Sequence, residues 1–110
     1  MKNTRIMYIE FKGDGATGPA RIGRVTFSKS GQSIYYRGKT FIKTTNAMKA
    51  NYLEVETGMS YWISGPRKDG LDALYLSNVG AEIDEDVREE YWTVIRNRPD
   101  LIDRRVTQPS

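Results

Sequence analysis

The sequence predicts a mainly β fold: a small curled sheet or SH3-like barrel of five to six short antiparallel strands, followed by one C-terminal α-helix at about 84–97. The chain has 110 residues, which is the size of one domain. It contains seven Tyr, three Phe and two Trp, and aromatic residues favour pleated, half-buried surfaces. Short runs of alternating polarity are separated by turn residues, and only the last third of the chain has helical periodicity.

Six segments have the length and composition of strands, and they are 4–12, 21–28, 34–41, 52–56, 60–64 and 71–75. The first, TRIMYIEFK, is apolar on both faces, as expected of a strand in a barrel or roll. A turn with the sequence SKSGQS joins the second and third strands in a hairpin, and TGM joins the fourth and fifth in another.

The helix is predicted from apolar residues at i, i+4, i+7 and i+8, which are Val87, Tyr91, Val94 and Ile95. Trp92 falls at the margin of this face. Asp84 or Asp86 is expected to be the N-cap, and Pro99 to end the helix. Residues 1–99 then form a single domain, and 100–110 are expected to form a frayed C-terminal tail. The predicted core consists of Ile6, Tyr8, Ile22, Val25, Phe27, Val55, Trp62, Ile63, Val87, Tyr91 and Ile95.

The composition excludes several kinds of chemistry. The chain has no Cys and no His, so disulfides, thiolate nucleophiles, Cys-ligated metals and His-based general acid–base catalysis cannot occur within it. Only carboxylate, Lys or Tyr chemistry remains for an enzyme. We therefore predict no catalytic residue, no cofactor and no metal. The chain has no signal-peptide pattern and no membrane span, so the expected location is the cytoplasm and no membrane partner is expected.

Charge is distributed unevenly along the chain. Residues 1–50 contain ten Lys or Arg against two acids, a net charge of +8, and residues 51–110 contain seven against twelve, a net charge of −5. A basic half is typical of a nucleic-acid surface. The same asymmetry is expected if the basic strands pack beside the acidic helix within one domain, or if both halves are simply solvated.

Two short motifs resemble nucleotide-binding loops but lack the required context. Gly13, Gly15 and Gly18 match G-x-G-x-x-G, yet a strand pattern follows them where the dinucleotide fingerprint needs a helix. GKT at 38–40 lacks the earlier glycine of a phosphate-binding loop, because Ser33 occupies that position. The acidic run EIDEDVREEYW has neither the spacing of a calcium loop nor carboxylates facing across a cleft, so we interpret it as a solvated first helical turn.

Basic and aromatic residues interleave between positions 21 and 43, as they do where small barrels stack single-stranded bases beside a cationic groove. If 34–41 is one strand, Tyr35, Arg37, Lys39 and Phe41 share a face. The turn GPRKDG adds two exposed cations. The candidate contacts for a nucleic acid or another partner are Arg24, Tyr35, Arg37, Lys39, Lys43, Arg67 and Lys68.

Four stretches carry a resemblance: YIEFKGDG, ARIGRVTFSKSGQSIYYRGKTF, YLEVETGMSYWISGPRKDG and EIDEDVREEYWTVIRNRP. Together they resemble a family of small, uncharacterised bacterial proteins of about this length, from Tyr8 to Pro99. The resemblance implies no activity, substrate or functional residue.

These observations predict a non-enzymatic binding module. A protein partner is the favoured class, with a patch of exposed apolar side chains around Trp92 and the 65–70 loop as its expected signature. The alternative is a single-stranded nucleic-acid-binding barrel that uses the basic and aromatic face of residues 21–43.

Overall fold

A computed structural model describes residues 3–13, 18–44, 50–68 and 80–107, and it confirms the predicted mainly β fold. Six antiparallel strands close into a small SH3-like barrel, a short seventh strand is added at its side, and a helix follows. The strands are β1 (Thr4–Phe11), β2 (Ala20–Phe27), β3 (Ser33–Tyr36), β4 (Lys39–Lys43), β5 (Tyr52–Glu54), β6 (Ser60–Ser64) and β7 (Glu82–Ile83). The predicted strand at 71–75 lies outside the described residues.

The barrel is closed by β1, which pairs with β6 on one side and with β2 on the other. The spatial order is β1, β6, β5, β4, β3, β2, and β7 lies parallel to the start of β2. Closure pairs strand edges that would otherwise be open to another chain. Among the described residues, no helix is both long and apolar enough to cross a membrane.

Two hydrophobic cores lie on opposite sides of β1, which explains why both faces of this strand are apolar. The inner core fills the barrel and consists of Met7, Ile9, Val25, Ile34, Tyr36, Phe41, Tyr52 and Ile63. The outer core lies between the barrel wall and the C-terminal segment and consists of Ile6, Tyr8, Ala20, Ile22, Ala81, Ile83, Val87, Tyr91 and Trp92. Among the predicted core residues, Phe27, Trp62 and Ile95 are half-buried, and the prediction for Val55 was wrong because this side chain is exposed.

The predicted strand 34–41 is in fact two strands joined by a tight turn. Arg37 and Gly38 have φ values of 51° and 78°, the left-handed pair found in two-residue type I′ hairpin turns. The turn reverses the chain, so Tyr35 points outward whereas Phe41 points into the barrel and is 1% exposed. Of the four residues expected to share a face, Tyr35 therefore lies on the outside of the barrel, whereas Arg37, Lys39 and Phe41 line one cavity at its end.

The C-terminal helix spans 85–95 and widens along its length. It begins as a 3₁₀ turn (Glu85–Val87), passes through an α turn (Arg88–Glu90) and ends as a π turn (Tyr91–Ile95). Within the wide turn, Tyr91 and Trp92 are both fully buried and pack edge to face. Trp92 therefore belongs to the core and not to the margin, and the expected exposed patch around it is absent from the described residues.

Residues 99–107 return to the barrel, which corrects the expectation of a frayed tail over this stretch. Pro99–Leu101 forms a single 3₁₀ turn, and Leu101 packs against the outer core. The Trp92 indole N–H donates to the Arg104 carbonyl at 2.9 Å. Thr107 exchanges two hydrogen bonds with Ala81, one through its backbone N–H and one through its hydroxyl.

Candidate binding surfaces

One end of the barrel is organised around the carboxylate of Asp84. Its Oδ1 accepts hydrogen bonds from Nε and Nη2 of Arg21 at 3.0 and 2.7 Å. Its Oδ2 accepts the hydroxyl proton of Tyr36 at 2.5 Å. The second branch of the guanidinium of Arg21 donates to Glu82 at 2.8 Å. Asp84 is the N-cap by position but makes no side-chain cap bond, so its carboxylate binds the barrel and is not part of a solvated turn.

Local backbone geometry brings these groups together. The parallel pairing of β2 with β7 places Arg21 opposite Glu82, and the next residues of that segment lead to Asp84. Tyr36 and Asp84 meet directly over Gly23. A Cβ atom at Gly23 would lie 2.5 Å from both Asp84 Oδ2 and Tyr36 Cε1, so the hydrogen bond needs a residue without a side chain below it.

The network changes the proton affinity of its members. Burial and the hydrogen bond to Asp84 raise the pKa of Tyr36 from 10.0 to about 12. The same carboxylate raises the pKa of Arg21 further above its ordinary value. Both shifts extend into the alkaline range the pH interval over which Tyr36 is neutral and Arg21 is charged.

Two adjacent cavities meet at this network. The first has a volume of about 700 Å³ and is lined by charges of both signs, among them Arg24, Asp86 and Arg105. The second has a volume of about 500 Å³ and opens into the end of the barrel. Arg21, Tyr36, Arg37 and Glu82 line both cavities.

We call the second cavity the barrel mouth, and it is lined by Ile9, Phe11, Pro19, Ala20, Arg21, Tyr36, Arg37, Lys39, Phe41, Tyr61, Gly80 and Glu82. Tyr61 packs edge to face against Phe11 and Phe41, with ring centroids 5.4 and 4.8 Å apart. Burial and the adjacent carboxylate of Glu54 raise the pKa of the Tyr61 hydroxyl. The walls of the mouth are therefore aromatic, and its rim is charged.

A different surface covers the outside of β3, β4 and β5. We define the outer face as Tyr35, Ile42, Leu53 and Val55. Three of its side chains are between 42% and 54% exposed, and Leu53 is half-buried. Because side chains alternate along a strand, this face lies on the opposite side of the same strands from the inner core.

The structure brings together only part of the set that the sequence proposed as contacts. Arg24 pairs with Glu90 at 2.7 Å and lines the first cavity together with Arg37. Arg37 and Lys39 lie together at the barrel mouth.

The remaining predicted contacts lie elsewhere. Lys43 is at the far end of β4, and Tyr35 belongs to the outer face. Arg67 and Lys68 are exposed beyond β6, and residues 69–70 of the predicted 65–70 loop lie outside the described residues.

Sequence reasoning missed Asp84, Phe11 and Tyr61 as parts of a site. Phe11 and Tyr61 alternate in step with core residues of their strands, so the sequence indicates that they point inward. It does not indicate that they lie at an open end of the barrel. For Asp84, the sequence indicated only a position at the N-cap of the helix. Among the residues that the structure describes, no cluster of three or more acidic side chains is placed to hold a metal ion.

Comparison of the chain with protein-family models, with curated proteins and with solved structures finds no match. The function is therefore inferred from the outer face and the barrel mouth.

Proposed function

We propose that this protein is a non-enzymatic binding module for a protein partner and that the outer face is its contact surface. The observation that supports this is the exposure of Tyr35, Ile42 and Val55, at 45%, 42% and 54% respectively. Single exposed apolar residues are ordinary on a protein surface, whereas a contiguous group of them is typical of an interaction site.

Strand register makes the group contiguous. Tyr35 pairs with Thr40, and the backbone N–H of Val55 donates to the Thr40 carbonyl, so these residues form one row across the sheet. Ile42 pairs with Leu53 in the next row. Neighbouring rows on one face of a strand are separated by two residues, about 7 Å.

The chemistry of the outer face suits a protein more than a nucleic acid. Its side chains are one aromatic and three aliphatic groups, and aromatic residues are enriched in protein interfaces. The positions between them carry the uncharged hydroxyls of Ser33, Thr40 and Ser60. Phosphate recognition requires cations, and the outer face itself contains none.

The alternative, single-stranded nucleic-acid binding by residues 21–43, has weaker support. Arg24 is paired with Glu90 at 2.7 Å, and the first cavity, which it shares with Arg37, is also lined by Glu82, Asp84 and Asp86. These carboxylates oppose the approach of a chain of phosphates. Lys43 lies at the opposite end of β4 from Lys39, and Tyr35 points outward on the outer face.

The test is a matched pair of single substitutions, Val55→Glu on the outer face and Val94→Glu on the helix. Both residues are exposed valines, so each change adds the same charge at a surface position. The wild type is used as bait to capture and identify a partner, and the purified partner is then titrated by calorimetry against the wild type and each variant. Ile42→Glu serves as a second outer-face variant.

We expect a purified partner to bind the wild type and Val94→Glu with equal affinity and to bind Val55→Glu and Ile42→Glu at least about tenfold more weakly, because each adds a charge to a desolvated contact. Equal binding by all four proteins would place the contact elsewhere. Binding of single-stranded RNA that weakens steeply with salt, and that Val55→Glu leaves unchanged, would favour the alternative.

A further inference from the structure

We propose that the barrel mouth is a second, independent binding site, which takes a small aromatic monocarboxylate. The cavity volume of about 500 Å³ lies within the range of small-molecule sites. Such sites combine mostly apolar walls with a few convergent polar groups, which is the composition of the mouth. The site faces along the barrel axis and shares no residue with the outer face.

Every barrel strand contributes a residue to this end. Phe11 ends β1, Tyr36 ends β3 and Tyr61 lies at the start of β6. Arg21 and Lys39 lie at the starts of β2 and β4, with Glu54 at the end of β5. Because the strands are fixed by the ladder of hydrogen bonds, the backbone positions from which these side chains extend are set before a ligand arrives.

The walls favour a flat ring. Phe11, Tyr61 and Phe41 form a continuous series of edge-to-face contacts, and Ile9 lies beside them at the base of the cavity. Edge-to-face and offset stacking are the preferred geometries of aromatic pairs, and each pair adds to the free energy from buried area. An aromatic ligand adds another ring contact to this series. An aliphatic ligand gains only the free energy of burying its apolar surface.

The rim carries two cations whose own carboxylate contacts are long. Arg37 Nη1 lies 4.0 Å from Asp84, and Lys39 Nζ lies 3.8 Å from Glu54. Both distances exceed that of a hydrogen bond. Asp84 already accepts three closer bonds, from Arg21 and Tyr36. The two cations are half-exposed and retain N–H donors for the carboxylate of a ligand.

The acids of the mouth limit the charge that a ligand can bring. Glu82 lines the cavity, Glu54 lies beside Lys39, and Asp84 lies behind Arg21. Arg21 is matched by Glu82 and Asp84, so the local charge is close to balanced before binding. A ligand with one negative charge is accommodated between Arg37 and Lys39. The second negative charge of a phosphate monoester is repelled by the three carboxylates.

The backbone of Arg37 independently supports a binding role for this rim. Its φ of 51° belongs to the left-handed region, where Asn and Gly are favoured in a type I′ turn and a long side chain is unusual. Non-glycine residues in this region concentrate at functional sites. Here the strained residue places a guanidinium at the rim, 5.9 Å from the centre of the Tyr36 ring.

The experiment is a titration of ¹⁵N-labelled protein monitored by backbone amide shifts. Indole-3-acetate represents a free aromatic acid, and N-acetyltryptophan represents the carboxyl terminus of a peptide, so their relative affinities distinguish the two sources of this chemistry. Indole-3-acetamide lacks the charge, cyclohexylacetate lacks the aromatic ring, and a nucleoside 5′-monophosphate carries a dianion. Each probe is titrated to about 10 mM, which detects binding weaker than 1 mM.

Two variants of the same strand separate binding from general effects of charge. Lys39 and Lys43 lie on one face of β4 at opposite ends of the barrel, and both are exposed. Lys39→Gln removes a cation of the mouth, and Lys43→Gln makes the same change away from it. Arg37→Asn removes the second cation while placing a favoured residue in the turn, so reduced binding by this variant does not reflect a less stable fold.

We expect saturable shifts centred on the mouth with one or both indole acids and affinities about tenfold lower for Lys39→Gln and Arg37→Asn, as for a lost charge-assisted hydrogen bond. Lys43→Gln should bind like the wild type, and the amide and the cyclohexyl acid should bind more weakly than the indole acids. Absence of saturable binding, equal affinity for acid and amide, or equal losses in Lys39→Gln and Lys43→Gln would overturn the proposal. Preference for the nucleotide would overturn the assignment to monocarboxylates.

Discussion

Single residues determine how the barrel end is built, and Gly23 is the most constrained of them. We predict that Gly23→Ala lowers the free energy of unfolding by about 2–3 kcal/mol, because the added methyl group must displace Tyr36 or Asp84 from their hydrogen bond. Urea denaturation measures this change. Gly65→Ala is the matched control, since its Cβ would meet only an Arg5 side-chain nitrogen at 3.7 Å, and a similar loss there would contradict the steric explanation.

Tyr36 makes the stability of the fold dependent on pH in the alkaline range. Its pKa is 10.0 in the unfolded chain and about 12 in the fold, so the folded state holds the proton more tightly. The resulting stabilisation is fully present below pH 10 and is lost as the pH rises towards 12. A difference of two pKa units corresponds to about 2–3 kcal/mol at most.

We therefore predict that Tyr36→Phe is less stable than the wild type at pH 8 and that this difference shrinks as the pH is raised to 11. Urea denaturation of both proteins at each pH measures the difference. Taking a difference between variants cancels the titration of Tyr52 and Tyr61, whose pKa values are also raised but which both proteins retain. A constant difference across this range would contradict the shift assigned to Tyr36.

Among the elements, the hairpin of β3 and β4 shows a conflict between turn preference and side-chain placement. Asn-Gly is the favoured pair in a type I′ turn, and this protein has Arg37-Gly38. We predict that Arg37→Asn raises the free energy of unfolding by about 0.5–1 kcal/mol, whereas Gly38→Ala lowers it by about 1 kcal/mol, because only the second change introduces a Cβ at a φ of 78°. Thermal denaturation measures both. A less stable Arg37→Asn would show that the ion pair with Asp84 outweighs the turn preference.

The helix shows which features the periodicity of apolar residues predicts correctly and which it does not. Its position and its acidic start followed from the sequence, as did the burial of Val87 and Tyr91. Val94 was placed on the apolar face of the helix but is 70% exposed, whereas Trp92, which was placed at the margin of that face, is fully buried. A regular helix was assumed, and the π turn changes the angle between successive residues. Tyr91 and Trp92 of the π turn pack together in the outer core, and no local pattern in the sequence records that packing.

At the scale of the whole molecule, the two oppositely charged halves of the chain meet within one domain. Arg21 of the basic half binds Glu82 and Asp84 of the acidic half, and Arg24 binds Glu90. The charge asymmetry is thus accounted for in part by packing within the fold. The uneven charge of the sequence is compatible with these ion pairs but does not require them. Because the ion pairs form, the basic half of the chain is weaker support for nucleic-acid binding.

The stretch 104–107 joins the C-terminal segment to the barrel, so we predict that ending the chain after Asp103 destabilises the whole fold. The lost bonds include those of Trp92 Nε1 to Arg104, Ile83 N–H to Arg105 and both bonds of Ala81 with Thr107. At about 1 kcal/mol for each bond, the loss is about 3–4 kcal/mol. Circular dichroism during urea denaturation measures it. A chain ending after Thr107 is the control, and equal stability of both truncations would show that this return carries no stability.

The sequence by itself determined the β class, the barrel-like strand with two apolar faces, the existence and place of the helix, and the absence of Cys and His chemistry. Those properties depend on local composition and on alternation along the chain. Tertiary structure alone decided that Arg37 lies in a turn, that Asp84 binds Arg21 and Tyr36 across more than forty residues of chain, and that the aromatic rings of three strands meet at one open end. Alternation specifies the face of a strand, whereas a site depends on which strands become neighbours and in which register, and those are set by closure of the barrel.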